Sequence, residues 1–122
     1  MQVINTIKKR KGKHLRVPRA LKPIMPARIL ITVEKVKGYC PIYKAGDKII
    51  IEEFYIKSKN SQNICLHAFA AMSTLLSAFL HNCSAAELGI GSHENIGYIA
   101  CPDSGPPHTK GGNVLFKLEK QK

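Results

Sequence analysis

With 122 residues, 19 Lys and Arg against 8 Asp and Glu, and a formal net charge of +11, the chain has the length of one small domain. Its 44% apolar content supports a core and excludes a wholly disordered chain, and 4 cysteines are too few for a dense disulfide scaffold. The charge is uneven: residues 1–28 hold nine basic residues and no acid (+9), and residues 29–122 hold ten basic and eight acidic residues (+2).

A basic extended arm, residues 1–27, is therefore expected ahead of a small domain, residues 28–122. Lys8, Lys9, Arg10, Lys11, Lys13, Arg16, Arg19 and Lys22 are the arm's candidate partner-binding residues. Pro18, Pro23 and Pro26 each lack a backbone donor and prevent a continuous helix, and the arm's apolar residues follow no sustained period. Such charge density is attracted to acidic or polyanionic surfaces; the plainer reading is a solvated solubility tail. Charged residues from Lys8 onward, with no apolar run before Pro18, do not read as a secretory signal. Dense lysine and proline also fit an amphipathic mitochondrial presequence poorly, although charge alone does not exclude one.

In chain order, Arg28–Val36 is β-branched and reads as a strand ended by Gly38-Tyr39-Cys40-Pro41. Lys44-Ala45-Gly46-Asp47 reads as a tight turn, with Gly46 free to take positive φ and Asp47 stabilising it. Lys48–Ile56 reads as a second, largely buried strand. A helix is expected from about Ile64 to Asn82, capped by Asn63 or Ser61, with Cys65, Phe69, Met72, Leu76, Phe79 and Cys83 as its apolar stripe. His67, Ala70, Thr74, Ser77 and His81 form its more polar face. The apolar centre of this stretch, Ile64–Leu80, holds His67, Ser73, Thr74 and Ser77 and falls short of the roughly 20 apolar residues of a spanning helix. A loop over Leu88–Asn95, a strand Gly97–Cys101, a Gly/Pro loop Pro102–Gly112 and an alternating strand Asn113–Glu119 complete the chain. The order β-β-α-β-β predicts an α+β fold: a small, mainly antiparallel sheet packed on one central helix. Without an export signal the expected location is the cytoplasm, where cysteines are thiols or metal ligands.

Cys40 and Cys101 each end a strand and precede proline, which cannot continue a ladder, so both thiols are expected at the sheet rim. Cys65 falls in the expected first helical turn, where unpaired N–H groups and the positive dipole end stabilise a thiolate, and Lys57 and Lys59 are close in sequence. If these elements converge, Cys40, Cys65, Cys101 and His67 make a Cys3His set suited to zinc or an iron centre. The spacing lacks a tight Cys-x2-Cys pair, so two other readings stand beside it: reactive or redox thiols, and small buried hydrophobes. Cys83 reads as packing. Gly89-Ile90-Gly91 lacks the rest of a dinucleotide fingerprint. Glu52 and Glu53 are adjacent in a strand and point to opposite faces. Asp103 is placed for an Asx turn, His93 and His108 sit in loops, and Tyr39, Tyr43, Tyr55 and Tyr98 lack an RNA-binding frame.

The motifs Cys40-Pro-Ile-Tyr-Lys-Ala-Gly-Asp47, Ile64-Cys-Leu-His-Ala68, Ala100-Cys-Pro-Asp103 and Val114-Leu-Phe-Lys-Leu-Glu119 resemble, in the same order, a family of small cysteine-containing proteins found largely in anaerobic archaea and bacteria. The resemblance covers about residues 29–120. It implies that Cys40, Cys65 and Cys101 belong to the family pattern and that Cys83 does not, and it implies a fold but no reaction. The chain differs at Leu66 and His67, where members often carry aromatic residues, and in its basic arm.

The leading functional expectation is a non-catalytic accessory or structural subunit. It would dock through its arm on a larger cytoplasmic assembly, either an anaerobic enzyme complex or a ribonucleoprotein such as the ribosome. The alternative is a small metal- or thiol-dependent redox protein using Cys40, Cys65 and Cys101. A membrane surface is the least expected partner.

Overall fold

The computed structural model describes residues 27–121; the arm's candidate residues Lys8 to Lys22 lie outside the described residues. Five strands and one α-helix follow in the order β1 (Arg28–Gly38), β2 (Lys48–Glu52), β3 (Tyr55–Ile56), α1 (Leu66–Leu80), β4 (Ile96–Ala100) and β5 (Gly112–Gln121). The strands form one sheet ordered β3-β2-β1-β5-β4, with every pairing antiparallel. Among the described residues, the α+β class with a small antiparallel sheet and one α-helix agrees with the sequence reading.

The centre of the sheet is the long β1–β5 pair, from Arg28↔Gln121 to Gly38↔Gly112, with one register shift between Val33 and Lys35. Alternation puts Ile29, Ile31 and Val33 of β1, Ile49 and Ile51 of β2, and Val114, Phe116 and Leu118 of β5 on one buried face. These join Ala68, Met72, Leu76, Phe79 and Leu80 of α1 in a single apolar core. Across the opposite face, Lys48, Thr32, Lys117 and Tyr98 fall into one row by register, a polar surface typical of a one-sided sheet.

The helix hangs from both ends. At its start the Cys65 N–H donates to the Tyr43 hydroxyl at 2.8 Å. At its end the Leu80 carbonyl accepts from the Ala27 N–H at 3.1 Å, and the Lys120 ammonium donates to the Cys83 carbonyl at 2.8 Å while lying 4.4 Å from the Phe79 ring centroid.

Three details differ from the sequence reading. The expected strand Lys48–Ile56 splits, because Glu53 takes φ 53 and turns the chain so that Tyr55–Ile56 folds back on Ile51 and Glu52. Glu53 therefore sits in a hairpin turn, and Glu52 pairs with Lys57 at 3.5 Å. The helix is shorter than expected, with Cys65 rather than Asn63 or Ser61 as its N-cap. Its stripe gains Ala68 and Leu80 as fully buried members, and Cys83 lies beyond its end, half-buried. The expected turn over residues 44–47 forms, with Gly46 at φ 94 and the Lys44 N–H donating to Asp47 Oδ2 at 2.8 Å.

Phe116, fully buried at the centre of this core, sets its stability. Phe116→Ala should lower the unfolding free energy by about 3–5 kcal/mol, whereas Leu66→Ser, at a residue 76% exposed, should change it by no more than about 0.5 kcal/mol. Urea unfolding followed by circular dichroism measures both.

Candidate functional site

The site lies where β1 ends, β4 ends, β5 begins and α1 begins. Gly38, at φ 87, takes β1 out of the sheet, and the chain passes through exposed Tyr39 to Cys40 and Pro41. Gly112 opens β5 directly against this exit: a Cβ there would stand 2.7 Å from the Tyr39 carbonyl carbon and 2.9 Å from the Cys40 nitrogen. Only glycine lets β5 come so close to the Tyr39–Cys40 peptide.

Cys40, Cys65, Cys101 and His67 all line one cavity of about 480 Å³. Val114, Phe116, Ala68 and the ring of Tyr43 supply its apolar wall, and Asp103 stands at its edge. No Lys or Arg is among its lining residues. The fold brings segments 25 and 36 residues apart to the lining of this one cavity. Among the described residues, no three His, Cys, Asp or Glu side chains stand close enough together to hold a metal ion as they are.

The thiols differ in their surroundings. The Cys40 sulfur accepts the Tyr43 N–H at 3.3 Å. The Cys101 sulfur accepts the Val114 N–H at 3.2 Å and donates toward the Gly112 carbonyl at 3.6 Å, fixed by the backbone of β5. Cys65, the helix N-cap, makes no side-chain capping bond. All three are half-buried against the core. His67, on the first turn of α1, is exposed at the cavity mouth. Cys83 is absent from the cavity lining, as are Lys57, engaged by Glu52, and Lys59.

Two residues matter more than the sequence indicates. Tyr43 is 5% exposed, stacks edge-on against Phe116 at 5.4 Å and 88°, and accepts the Cys65 N–H. Burial pushes its phenol above the ordinary value; the Cys65 N–H bond opposes this, and the Cys65 and Cys40 thiols and Asp47 add to the rise. The signal was its place in Cys40-Pro-Ile-Tyr43, where a large side chain follows a strand exit. Asp103 forms the expected Asx turn: its Oδ1 accepts the Gly105 N–H at 2.9 Å and the Thr109 hydroxyl. The Asn113 side-chain amide donates to the carbonyls of Cys101 and Asp103, tying this loop to β5.

No family model, curated protein or solved structure matches the chain, and the resemblance to the cysteine-containing family rests on its motifs alone.

The Thr109 hydroxyl, then the Gly105 N–H, holds the Asp103 carboxyl below its ordinary value. A depressed folded pKa stabilises the loop above the unfolded value, and that contribution is lost as pH falls through the folded pKa. Acidification below the ordinary carboxylate range should therefore lower the protection of the Gly105 and Gly111 amides relative to their intrinsic exchange rates at the same pH, and Asp103→Asn should remove this acid dependence. Hydrogen exchange followed by NMR from neutral to acid pH reads it.

Proposed function

We propose that the domain is a thiol-based metal-binding module in which Cys40, Cys65 and Cys101 hold one thiophilic ion, zinc or ferrous iron, with His67 at the mouth. The observation that carries the reading is the cavity itself: three thiols and an imidazole from three separate stretches line one space with no lysine or arginine in its lining. The thiols, the imidazole and the Asp103 carboxyl on that wall are of ligand type for a cation, and soft thiolates select zinc, iron or cuprous ions over hard ones. The thiols are not preassembled at ligating distance, so capture draws them together by rotation about χ1 between staggered positions. Metal binding of this kind is coupled to ordering of the site, needs deprotonated thiols and weakens as pH falls.

The chain purified without oxygen should bind one zinc or cobalt ion. Cys40→Ser, Cys65→Ser and Cys101→Ser should each abolish or strongly weaken binding, with Cys83→Ser unchanged. At free metal a hundredfold above Kd the fold should gain about 2.7 kcal/mol, read as a metal-dependent rise in Tm. Metal content at or near zero, with no thermal shift, overturns the reading.

A second reading rests on the segregated charge. The +9 over residues 1–28 serves to attach the domain, as a non-catalytic accessory subunit, to an acidic protein surface or to RNA in a larger assembly. Several lysine–phosphate contacts give a steep log–log loss of affinity with salt. Binding of the full chain to RNA measured across a salt series should show that slope if the partner is RNA. A flat dependence removes RNA and leaves the acidic protein.

A further inference from the structure

Away from the thiol cavity the domain carries a second concave surface. A groove of about 280 Å³ runs between the β2–β3 hairpin and the second half of α1, and its lining includes Phe54, Phe69, Ser73, Ser77, Leu80 and His81. Its rim holds large apolar side chains in water: Phe54 is 73% exposed and Tyr55 52%. Phe54 lies 5.6 Å from the His81 ring, which sets this aromatic wall against the end of the helix. At the other end of α1, Leu66 is the most exposed large apolar side chain among the described residues. By the helical period Leu66, Ala70, Ser73 and Ser77 fall on one line, at steps of four, three and four, along the flank that borders the groove. At about 1.5 Å of rise per residue, the leucine stands about 16 Å from the groove beside Ser77.

This flank is free of charge. From residue 60 to residue 86 the sequence has no Lys, Arg, Asp or Glu, and none lines the groove, in a chain of net charge +11. Polar groups on the flank are turned back on the helix: Ser73 Oγ donates to the Ala70 carbonyl at 3.4 Å, and His81 Nδ1 lies 2.9 Å from the Ser77 carbonyl. Covering the flank therefore strands no charge, and a second copy meets it without setting like charges against each other.

We infer that this flank pairs with the same flank of a second copy, the two α1 helices running antiparallel about a two-fold axis between Ala70 and Ser73. Ala70 of each copy then faces Ser73 of the other, and Leu66 of each enters the groove of the other beside Ser77. A protruding leucine and a groove on one line, equally far from its middle, make the surface complementary to itself, as an isologous pair requires. The small residues between them let the two helices approach closely. At roughly 200 Å² per aromatic side chain, Phe54 and Tyr55 together leave about 250 Å² in water. Leu66 and the facing helix surface bring each copy near about 600 Å², half of the smallest specific interfaces, so the pair is weak and forms at high protein concentration. An acidic protein or a nucleic acid finds no counter-charge on this flank.

Sedimentation velocity of the full chain tests the pairing, over a concentration series under reducing conditions and at physiological salt, which screens the net charge. Expected is a reversible rise from the mass of one chain to that of two. Leu66→Ser removes two buried leucines per pair and should weaken pairing about a hundredfold, and Ala70→Glu sets carboxylates beside the axis and should abolish it. Both positions are exposed, so circular dichroism and unfolding in dilute solution should match the parent chain. Adding Ser73→Lys to Ala70→Glu puts opposite charges face to face across the antiparallel pair and should restore it. A chain that stays monomeric at every concentration overturns the inference, as does assembly beyond two chains. Pairing that survives Leu66→Ser and Ala70→Glu overturns this flank as its seat. Pairing lost in Ala70→Glu and not regained on adding Ser73→Lys overturns the antiparallel register.

Discussion

The hydrogen bond from the Cys65 N–H to the Tyr43 hydroxyl is the contact on which the rest of the site depends. It joins the start of α1 to the segment that leaves β1, two parts of the chain 22 residues apart. The same tyrosine donates its backbone N–H to the Cys40 sulfur and sets its ring edge against Phe116 in the core. One residue thus fixes two of the three thiols relative to each other and both relative to the sheet. Removing the hydroxyl leaves a part-buried N–H at the helix start without its partner, at a cost of up to about 1 kcal/mol.

The two ends of α1 are tied by different chemistry, and that difference decides where a site can form. The C-terminal end is closed by a cation: Lys120 caps the Cys83 carbonyl and covers the Phe79 ring. A cation near a helix C-terminus and over an aromatic face is favourable, so this end carries a positive group just past the helix. The N-terminal end carries no acidic residue in its first turn and no side-chain cap. Its positive dipole end faces Cys65 and the cavity, with only a neutral phenol on the Cys65 N–H. The unfilled end is the one that meets the sheet exits of Cys40 and Cys101.

Much of this was legible in the sequence, for reasons that are local. The Cys-Pro pairs mark strand exits because proline removes a ladder donor, which places Cys40 and Cys101 at the same rim wherever β1 and β4 flank β5. Gly46, Asp47 and the Asx turn at Asp103 follow from backbone chemistry that needs no tertiary context. The misses are tertiary. The stretch from Lys48 to Ile56 is interrupted by Glu52-Glu53, and the chain turns there: Glu53 takes a left-handed φ as the β3 hairpin packs back on β2. Asn63 and Ser61 are better cap formers than Cys65 by intrinsic preference. Ser61 is instead used on the sheet, where its hydroxyl accepts the Ile50 N–H and donates to the Lys57 carbonyl. Tyr43 looked like one tyrosine among four, since nothing in its spacing says that its hydroxyl reaches a helix start.

Charge at two scales separates what the chain attracts from what the cavity holds. At long range a net +11 repels cations and draws anions, but that field is screened within about 8 Å at physiological salt. Inside the cavity the neighbours are thiols, a phenol and the Asp103 carboxylate, with no lysine or arginine on the wall. On the proposed reading, a cation there would be held by contact with sulfur at short range, without help from diffusional steering. An acidic surface or a nucleic acid would meet the opposite balance, attracted from a distance by the basic segment and offered no lysine or arginine in the cavity. The two interactions therefore draw on different residues and different length scales. If both proposed interactions hold, raising salt would weaken attachment through the basic segment while leaving sulfur coordination in the cavity almost untouched.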